Sequence, residues 1–323
     1  MSYAKLKAVA QFYLRFLPSF SAIGYHVRRL VWPDVATDFR GQQWLVTGAS
    51  RGLGREIARL AAMHGATVLA AGNDAQELSD MISTFTANGV TAPAIEVVDF
   101  SSQQQTHELL QRLTDAGRRI DVLINNVGFL PTRHELTSEG REASYVVNLL
   151  SIYHLTEGAI ARGLLKTNAV VINMASGGAY SAALNVRRLN YTKAENFVGA
   201  GAYAYHKRAL IVLAEYWRQR YAQHPISFYV MHPGWARTPG VRQSMPTFNW
   251  LMRPILRTPT AGVDTAIWLA ATRPVQAPGE AVWFDRKARP AHMTAATRLT
   301  RDHAQSLVAA LDADLGRFPH FTS

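Results

Sequence analysis

Cysteine is absent from this 323-residue chain, which excludes a disulfide framework, a thiolate zinc site and a catalytic thiol. The absence suits a reducing compartment. The expected location is therefore the cytoplasm, with membrane association left open. Acidic residues are also scarce: 23 Asp and Glu stand against 34 Lys and Arg, giving a formal net charge of +11 and a pI of about 10.1. Such an excess attracts anions in general. The basic residues are scattered, however, with Arg28, Arg29, Arg187, Arg188, Arg298 and Arg301 interrupting ordinary patterns. No nucleic-acid-binding signature accompanies them, so no nucleic acid is expected as a partner. The eleven histidines show no ligand pairing such as His-Glu-x-x-His, and no metal is expected. A long apolar run is missing too. The stretch with Phe12, Tyr13, Leu14, Phe16, Leu17, Phe20 and Ile23 is broken by Arg15 and Pro18, too short for a membrane span and without a convincing signal cleavage site. Two readings of residues 1–40 stay open: a helix lying in a membrane interface, flanked by Lys5, Lys7, Arg28 and Arg29, or a helix packed on the body of the protein.

What is present is apolar residue in quantity, 48% of the chain, enough for one large core. From Gln42 onward, short apolar runs alternate with longer amphipathic segments, the pattern of strand and helix units around a parallel sheet. Strands are expected at 44–47, 67–71, 95–99, 122–125, 170–174, 226–232 and 281–284, with helices beginning near Gly52, Asp74, Ser102, Glu139, Tyr203 and Thr260. Near-continuous Val, Ile and Leu in the strands suit burial on both faces. The expected architecture is α/β: a single doubly wound Rossmann domain over residues 41–290 with a seven-stranded parallel sheet. A helical N-terminal extension (1–40) and a helical C-terminal tail (291–323, with a helix over 297–315) flank it.

In such sheets ligands bind beyond the carboxyl ends of the strands. Gly48, Asn125, Ser176 and Pro233 all fall at or just past a strand end. Thr47-Gly48-Ala49-Ser50-Arg51-Gly52-Leu53-Gly54 follows a strand and opens a helix. Its glycines allow a tight turn and close backbone approach, and the helix offers free N–H groups to a pyrophosphate. Tyr203 and Lys207, four residues apart, lie on one helix face, where an ammonium can hold a phenol partly ionised and make it useful near neutral pH. Tyr191 has Glu195 at that spacing, and Tyr205 has no such partner.

Together with Asn125-Asn126-Val127-Gly128, Asn148, Ser176 and Pro233-Gly234, these motifs resemble the short-chain dehydrogenase/reductase family over roughly residues 41–290. The resemblance implies an oxidoreductase moving hydride between a nicotinamide and a carbonyl or alcohol. Tyr203 is the implied acid/base, Ser176 binds the substrate oxygen, Lys207 also holds the nicotinamide ribose, and Asn148 holds a water that relays protons to Lys207. It further implies cofactor contacts at Gly48, Ser50, Arg51, Gly52, Leu53, Gly54, Asn73, Asp99, Asn125, Gly128, Pro233, Gly234 and Thr238, with Asp99 on the adenine and Thr238 on the carboxamide. Two positions depart from the usual pattern: Val127 replaces alanine, and Ala175 leaves Ser176 without a second serine. Ser176 and Tyr203 are 203 − 176 = 27 residues apart, which implies an inserted loop beside the pocket. No acid ends the second strand (Ala70-Ala71-Gly72-Asn73), and Arg51 stands where relatives carry a cation for a 2′-phosphate. NADP(H) is the expected cofactor, with NAD(H) retained as an alternative. Asp74 is read as a helix cap, and Asp99 has a second reading as a turn-forming acid before Ser101-Ser102. Residues 235–257, apolar and poor in acidic side chains, are expected in this fold to form a lid, which favours a lipophilic aldehyde, ketone or alcohol; packing against another subunit or lipid is the alternative reading. Homo-oligomers are common in the family.

Overall fold

The computed structural model describes residues 16–275, 281–292, 297–298 and 301–316. The apolar residues Phe12, Tyr13 and Leu14 and the lysines at 5 and 7 lie outside the described residues. One sheet carries the fold, with strands β1 (Gln43–Thr47), β2 (Thr67–Gly72), β3 (Ala94–Val97), β4 (Ile120–Asn125), β5 (Leu165–Met174), β6 (Ser227–Met231), β7 (Ala281–Phe284) and β8 (Lys287–Pro290) in the order 3-2-1-4-5-6-7-8. β1 to β7 run parallel, and Leu45 at the centre pairs with both Leu69 and Leu123. The strand order reverses between β1 and β4, and the crevice above that reversal is where a nucleotide fits.

Eight strands replace the expected seven. β8 runs antiparallel to β7, joined by Asp285 (φ +50°) and Arg286 (φ +57°). Both turn residues are left-handed, as a two-residue hairpin requires. Lys287-Ala288-Arg289-Pro290 offers no apolar run, and its proline suits only an edge. Pattern reading therefore passes over it.

Alternation along the strands splits the core into two layers. Leu45, Leu123, Val171 and Phe228 face one way, towards helices Gln103–Asp115, Ser151–Ala161 and Gly199–Arg220. Trp44, Val46, Ile124, Ile172 and Tyr229 face the other, towards helices Gly52–Met63, Ala75–Ala87 and Pro259–Thr272. Asp74 is the cap of its helix, its side chain accepting from Glu77 N. The helix expected near Glu139 starts instead at Ala143, where the Glu142 carboxylate accepts from Ser144 N and Tyr145 N. The 27-residue interval before Tyr203 is filled by irregular chain with two short 3₁₀ turns, Gly177–Tyr180 and Val186–Arg188. It is anchored by buried Leu184 and Leu189.

Both extensions pack on this body. Helix Arg301–Leu315 buries Leu307, Leu311 and Leu315. It also accepts hydrogen bonds from Tyr145 Oη to Asp314 Oδ2 (2.7 Å) and from Tyr153 Oη to Asp312 Oδ1 (2.8 Å). At the other end, Phe20 and Tyr25 are buried, while Ile23, Val27, Leu30 and Val31 are 57–84% exposed. Helix Ala22–Arg29 thus has one face packed and an apolar stripe facing out. Among the described residues no helix is long and apolar enough to cross a membrane.

Segment 235–257, expected as a lid, is closed at its base. Ala236 bridges Arg257 in strand fashion, and Arg257 N donates to Trp235 O at 2.8 Å. Between these ends lie short helices Pro239–Ser244 and Pro246–Met252. The N-terminal segment fastens this base: Trp235 N donates to Phe20 O (2.9 Å), and buried Arg257 donates through Nε to Phe20 O and through Nη2 to Ser19 O, both at 2.9 Å. Arg257 also pairs in a two-pronged fashion with buried Asp285 (2.6 and 2.9 Å), to which Arg28 Nε donates as well (2.6 Å).

Candidate active site

The glycine loop is shaped by close approach. A Cβ on Gly54 would fall inside the Gly48 carbonyl oxygen, and one on Gly48 (φ +61°) would meet Val127 Cα at 2.9 Å. Only glycine fits either place. The loop is held from beneath by Asn126, whose Nδ2 donates to Thr47 O (2.9 Å) and Gly48 O (3.1 Å). Sequence reasoning gave the site role to its neighbour Asn125 and named Asn126 only as part of the motif. Asn125 is turned into the sheet, donating to Thr156 Oγ1 (3.0 Å) and Asn173 Oδ1 (2.8 Å), so its side chain ties β4 to β5 and to the helix layer.

Gly52 (φ +59°) faces Thr238 and Pro239, 3.7 Å from where its Cβ would stand, so the start of the lid leans on the loop. Thr238 Oγ1 accepts from Val241 N (3.2 Å) and starts a lid helix. Leu53 packs towards Gly262 of helix Pro259–Thr272. Gly234 (φ +72°) lies against the Arg257 guanidinium, which leaves no room there for a side chain. Pro233 precedes it at the end of β6.

Beyond β2, Asn73 is exposed. An acid does stand nearby, contributed by the following helix: Glu77 accepts from Ser50 Oγ (2.7 Å) and pairs with Arg51 at 3.4 Å. Its 26-residue separation from Arg51 hides this contact from local pattern reading. Asp99 forms the turn, its Oδ1 accepting from Ser101 N at 2.8 Å.

Ser176, Tyr203 and Lys207 come together past the ends of β5 and β4. Tyr203 shares a hydrogen bond with Ser176, and Lys207 Nζ lies 5.7 Å from the Tyr203 ring centroid. Burial pushes the Tyr203 phenol up, with the Ser176 bond working the other way. Burial also pushes the Lys207 ammonium down to about 8. The expected lowering of the phenol by Lys207 is not what this geometry gives: burial is the larger effect, and it raises the phenol. Gly128 closes the other side of the lysine: a Cβ there would stand 2.7 Å from Asn148 Oδ1 and 3.2 Å from Lys207 Nζ. Asn148 lies in a π-helical segment, Val146–Leu150, a local irregularity frequent at functional sites. Its amide clamps the Phe129 backbone from both sides, accepting from N (2.8 Å) and donating to O (2.9 Å). The side chain thereby fixes the Gly128 turn beside Lys207.

His232, at the end of β6, is buried among Phe20, Tyr180 and Phe284 and is pushed down to about 3, first by burial. It is neutral in the working range. Among the described residues no group of His, Asp or Glu could hold a metal.

The glycine cradle and the Ser-Tyr-Lys cluster suit a dinucleotide and an acid/base step. A family model described as short chain dehydrogenase matches residues 42–247. Human dehydrogenase/reductase SDR family member 12 is 34% identical over 267 residues, 82% of this chain and 83% of the relative. Its counterpart from Bos taurus is 30% identical over 96% and 98% of the two chains. A short chain dehydrogenase of Shigella flexneri, solved with NADP, superposes with a TM-score of 0.59 at 21% identity, covering 79% of this chain and 96% of that one. Motif order, sheet topology and these likenesses agree: the chain belongs to the short-chain dehydrogenase/reductase family of oxidoreductases.

Proposed function

We propose that the protein is an NADP(H)-dependent oxidoreductase acting on a lipophilic aldehyde, ketone or alcohol, with Tyr203 as acid/base. The carrying observation is the convergence of Ser176, Tyr203 and Lys207 past the ends of β4 and β5, beside a loop that only glycine can build. The nicotinamide, when bound, supplies or accepts the hydride at carbon. Gly48, Ser50, Arg51, Gly52, Leu53, Gly54, Asn73, Asp99, Asn125, Gly128, Lys207, Pro233, Gly234 and Thr238 are the residues proposed to hold the cofactor or shape its place.

In the reducing direction the neutral phenol of Tyr203 donates its proton to the carbonyl oxygen, and Ser176 holds that oxygen by a hydrogen bond. The phenolate left behind is stabilised by cationic Lys207. Since Lys207 titrates at about 8, it is charged below that pH. Reductive kcat/KM is expected to fall as pH rises through about 8, followed by absorbance of the reduced nicotinamide with medium-chain and aromatic aldehydes and ketones. No turnover on any of them at any pH would sink the carbonyl-reductase reading. Exposed Ile23 and Val27 of helix Ala22–Arg29, with exposed Leu30 and Val31 just beyond it, favour a compatible second role in peripheral membrane contact.

Preference for the 2′-phosphate depends on Arg51, and Glu77 competes for it. Both partners of this pair are substantially exposed, 55% and 34%, so the pair itself contributes little and a phosphate can take the arginine over. Glu77 would then stand near the phosphate as a like charge. Glu77→Gln is expected to raise the ratio of NADPH to NADH affinity about fivefold, corresponding to ~1 kcal/mol for unit charges ~4 Å apart in water. Titrating both reduced cofactors by fluorescence reads this directly, and an unchanged ratio would count against Glu77 as a determinant.

A further inference from the structure

The lid segment 235–257 contains arginine at 237, 242, 253 and 257 and no Asp or Glu. Arg257 is neutralised by Asp285. The other three line one cavity of about 310 Å³, together with Thr238, Pro239 and Asn249. Among the described residues none of these three guanidiniums has a side-chain hydrogen bond or an ion pair. Three cations around one cavity repel one another unless an anion joins them. Arginine is also the side chain best shaped to hold a planar carboxylate or a phosphate. The nucleotide has its own phosphate provision in the glycine loop, at the start of helix Gly52–Met63 and Arg51, and Thr238 and Pro239 of the cavity lie against Gly52 of that loop, so the three arginines stand beside the nucleotide's place. Adjacent on the same lid helix, Trp250 and Leu251 are 77% and 67% exposed, apolar surface next to the charged cavity.

We propose that this cavity holds a carboxylate or phosphate carried by the substrate, through Arg237, Arg242 and Arg253, so that the substrate is an amphiphilic carbonyl or alcohol with an acidic end. The assignment rests on the carbonyl reading above and narrows it from neutral lipophiles to acid-bearing ones.

The test is calorimetric titration of the full-length protein, saturated with NADP⁺, with decanoate and with decanol, which share a chain and differ in charge. The same titrations are run on Arg242→Gln/Arg253→Gln, exposed positions whose replacement leaves the core intact. Adenosine 2′,5′-bisphosphate is titrated separately into both cofactor-free proteins. Decanoate is expected to bind at least about tenfold tighter than decanol, as charge-assisted hydrogen bonds allow. That gap should close in the double variant and shrink at high salt, with bisphosphate affinity unchanged. Equal binding of acid and alcohol to the wild type, or a gap that survives in the variant, overturns the proposal. Loss of bisphosphate affinity with the decanoate gap retained would assign the arginines to the cofactor and also overturns it. Binding is read without turnover, so failure of the carbonyl reading, seen as no reduction of any aldehyde, is told apart from failure of this one.

Discussion

Tyr203→Phe is expected to lower turnover by about 10²–10⁴-fold, the usual worth of a positioned general acid or base, while cofactor affinity and thermal midpoint stay near wild type. The substitution removes one oxygen and keeps the ring that lies beneath the Lys207 ammonium. It leaves Ser176 without a partner, but Ser176 is not fully buried and can turn to water. The measurement is kcat with NADPH and a responsive aldehyde, paired with NADPH binding by fluorescence. Retained turnover in the variant would remove Tyr203 from the chemistry. Loss of binding along with turnover would make it a structural residue.

Asp285→Ala carries the largest expected cost in stability. Asp285 and Arg257 are 2% and 1% exposed at their side chains. Removing the carboxylate strands a guanidinium in the interior, which costs about 3–5 kcal/mol and corresponds to a fall in thermal midpoint of ~4–7 °C for a chain of this size. Arg257→Met is expected to cost less, because Asp285 keeps Arg28. The loss also has a place: Arg257 holds Ser19, Phe20 and the lid base at once, so limited trypsin digestion of Asp285→Ala should cut within 237–253 before the sheet helices open. Equal melting of the two variants and the wild type would show that the pair holds nothing.

The parallel sheet and the glycine loop were legible because their causes are local. Val, Ile and Leu runs mark strands buried on both faces, and the crowding of Gly48 and Gly54 leaves a spacing that can be read directly. Asp74 showed its cap by standing three residues before the amide it bonds. Features made by distant chain were not legible. Glu77 meets Ser50 and Arg51 only because β2 returns beside β1, and Asp285 meets Arg257 and Arg28 only after the whole sheet is ordered. β8 was hidden because its edge position needs no apolar pattern. The four-residue spacing of Tyr203 and Lys207 puts them on one helix face, but spacing carries no depth. Depth is what raises the phenol and lowers the ammonium.

The attachment of Ser19–Ser21 to Arg257 has a consequence for the order in which the chain acquires its shape. The Phe20 carbonyl accepts from a side chain 237 residues further on, and Phe20 packs against His232 and Phe284. During synthesis this early segment emerges long before the residues that receive it. At ~5–20 residues per second it waits tens of seconds with Phe16, Phe20 and Tyr25 uncovered, a period in which chaperones or self-association compete for it. The last contact made is between residues 19–21 and the base of segment 235–257, so a nascent chain can possess a complete nucleotide loop well before that segment is fastened.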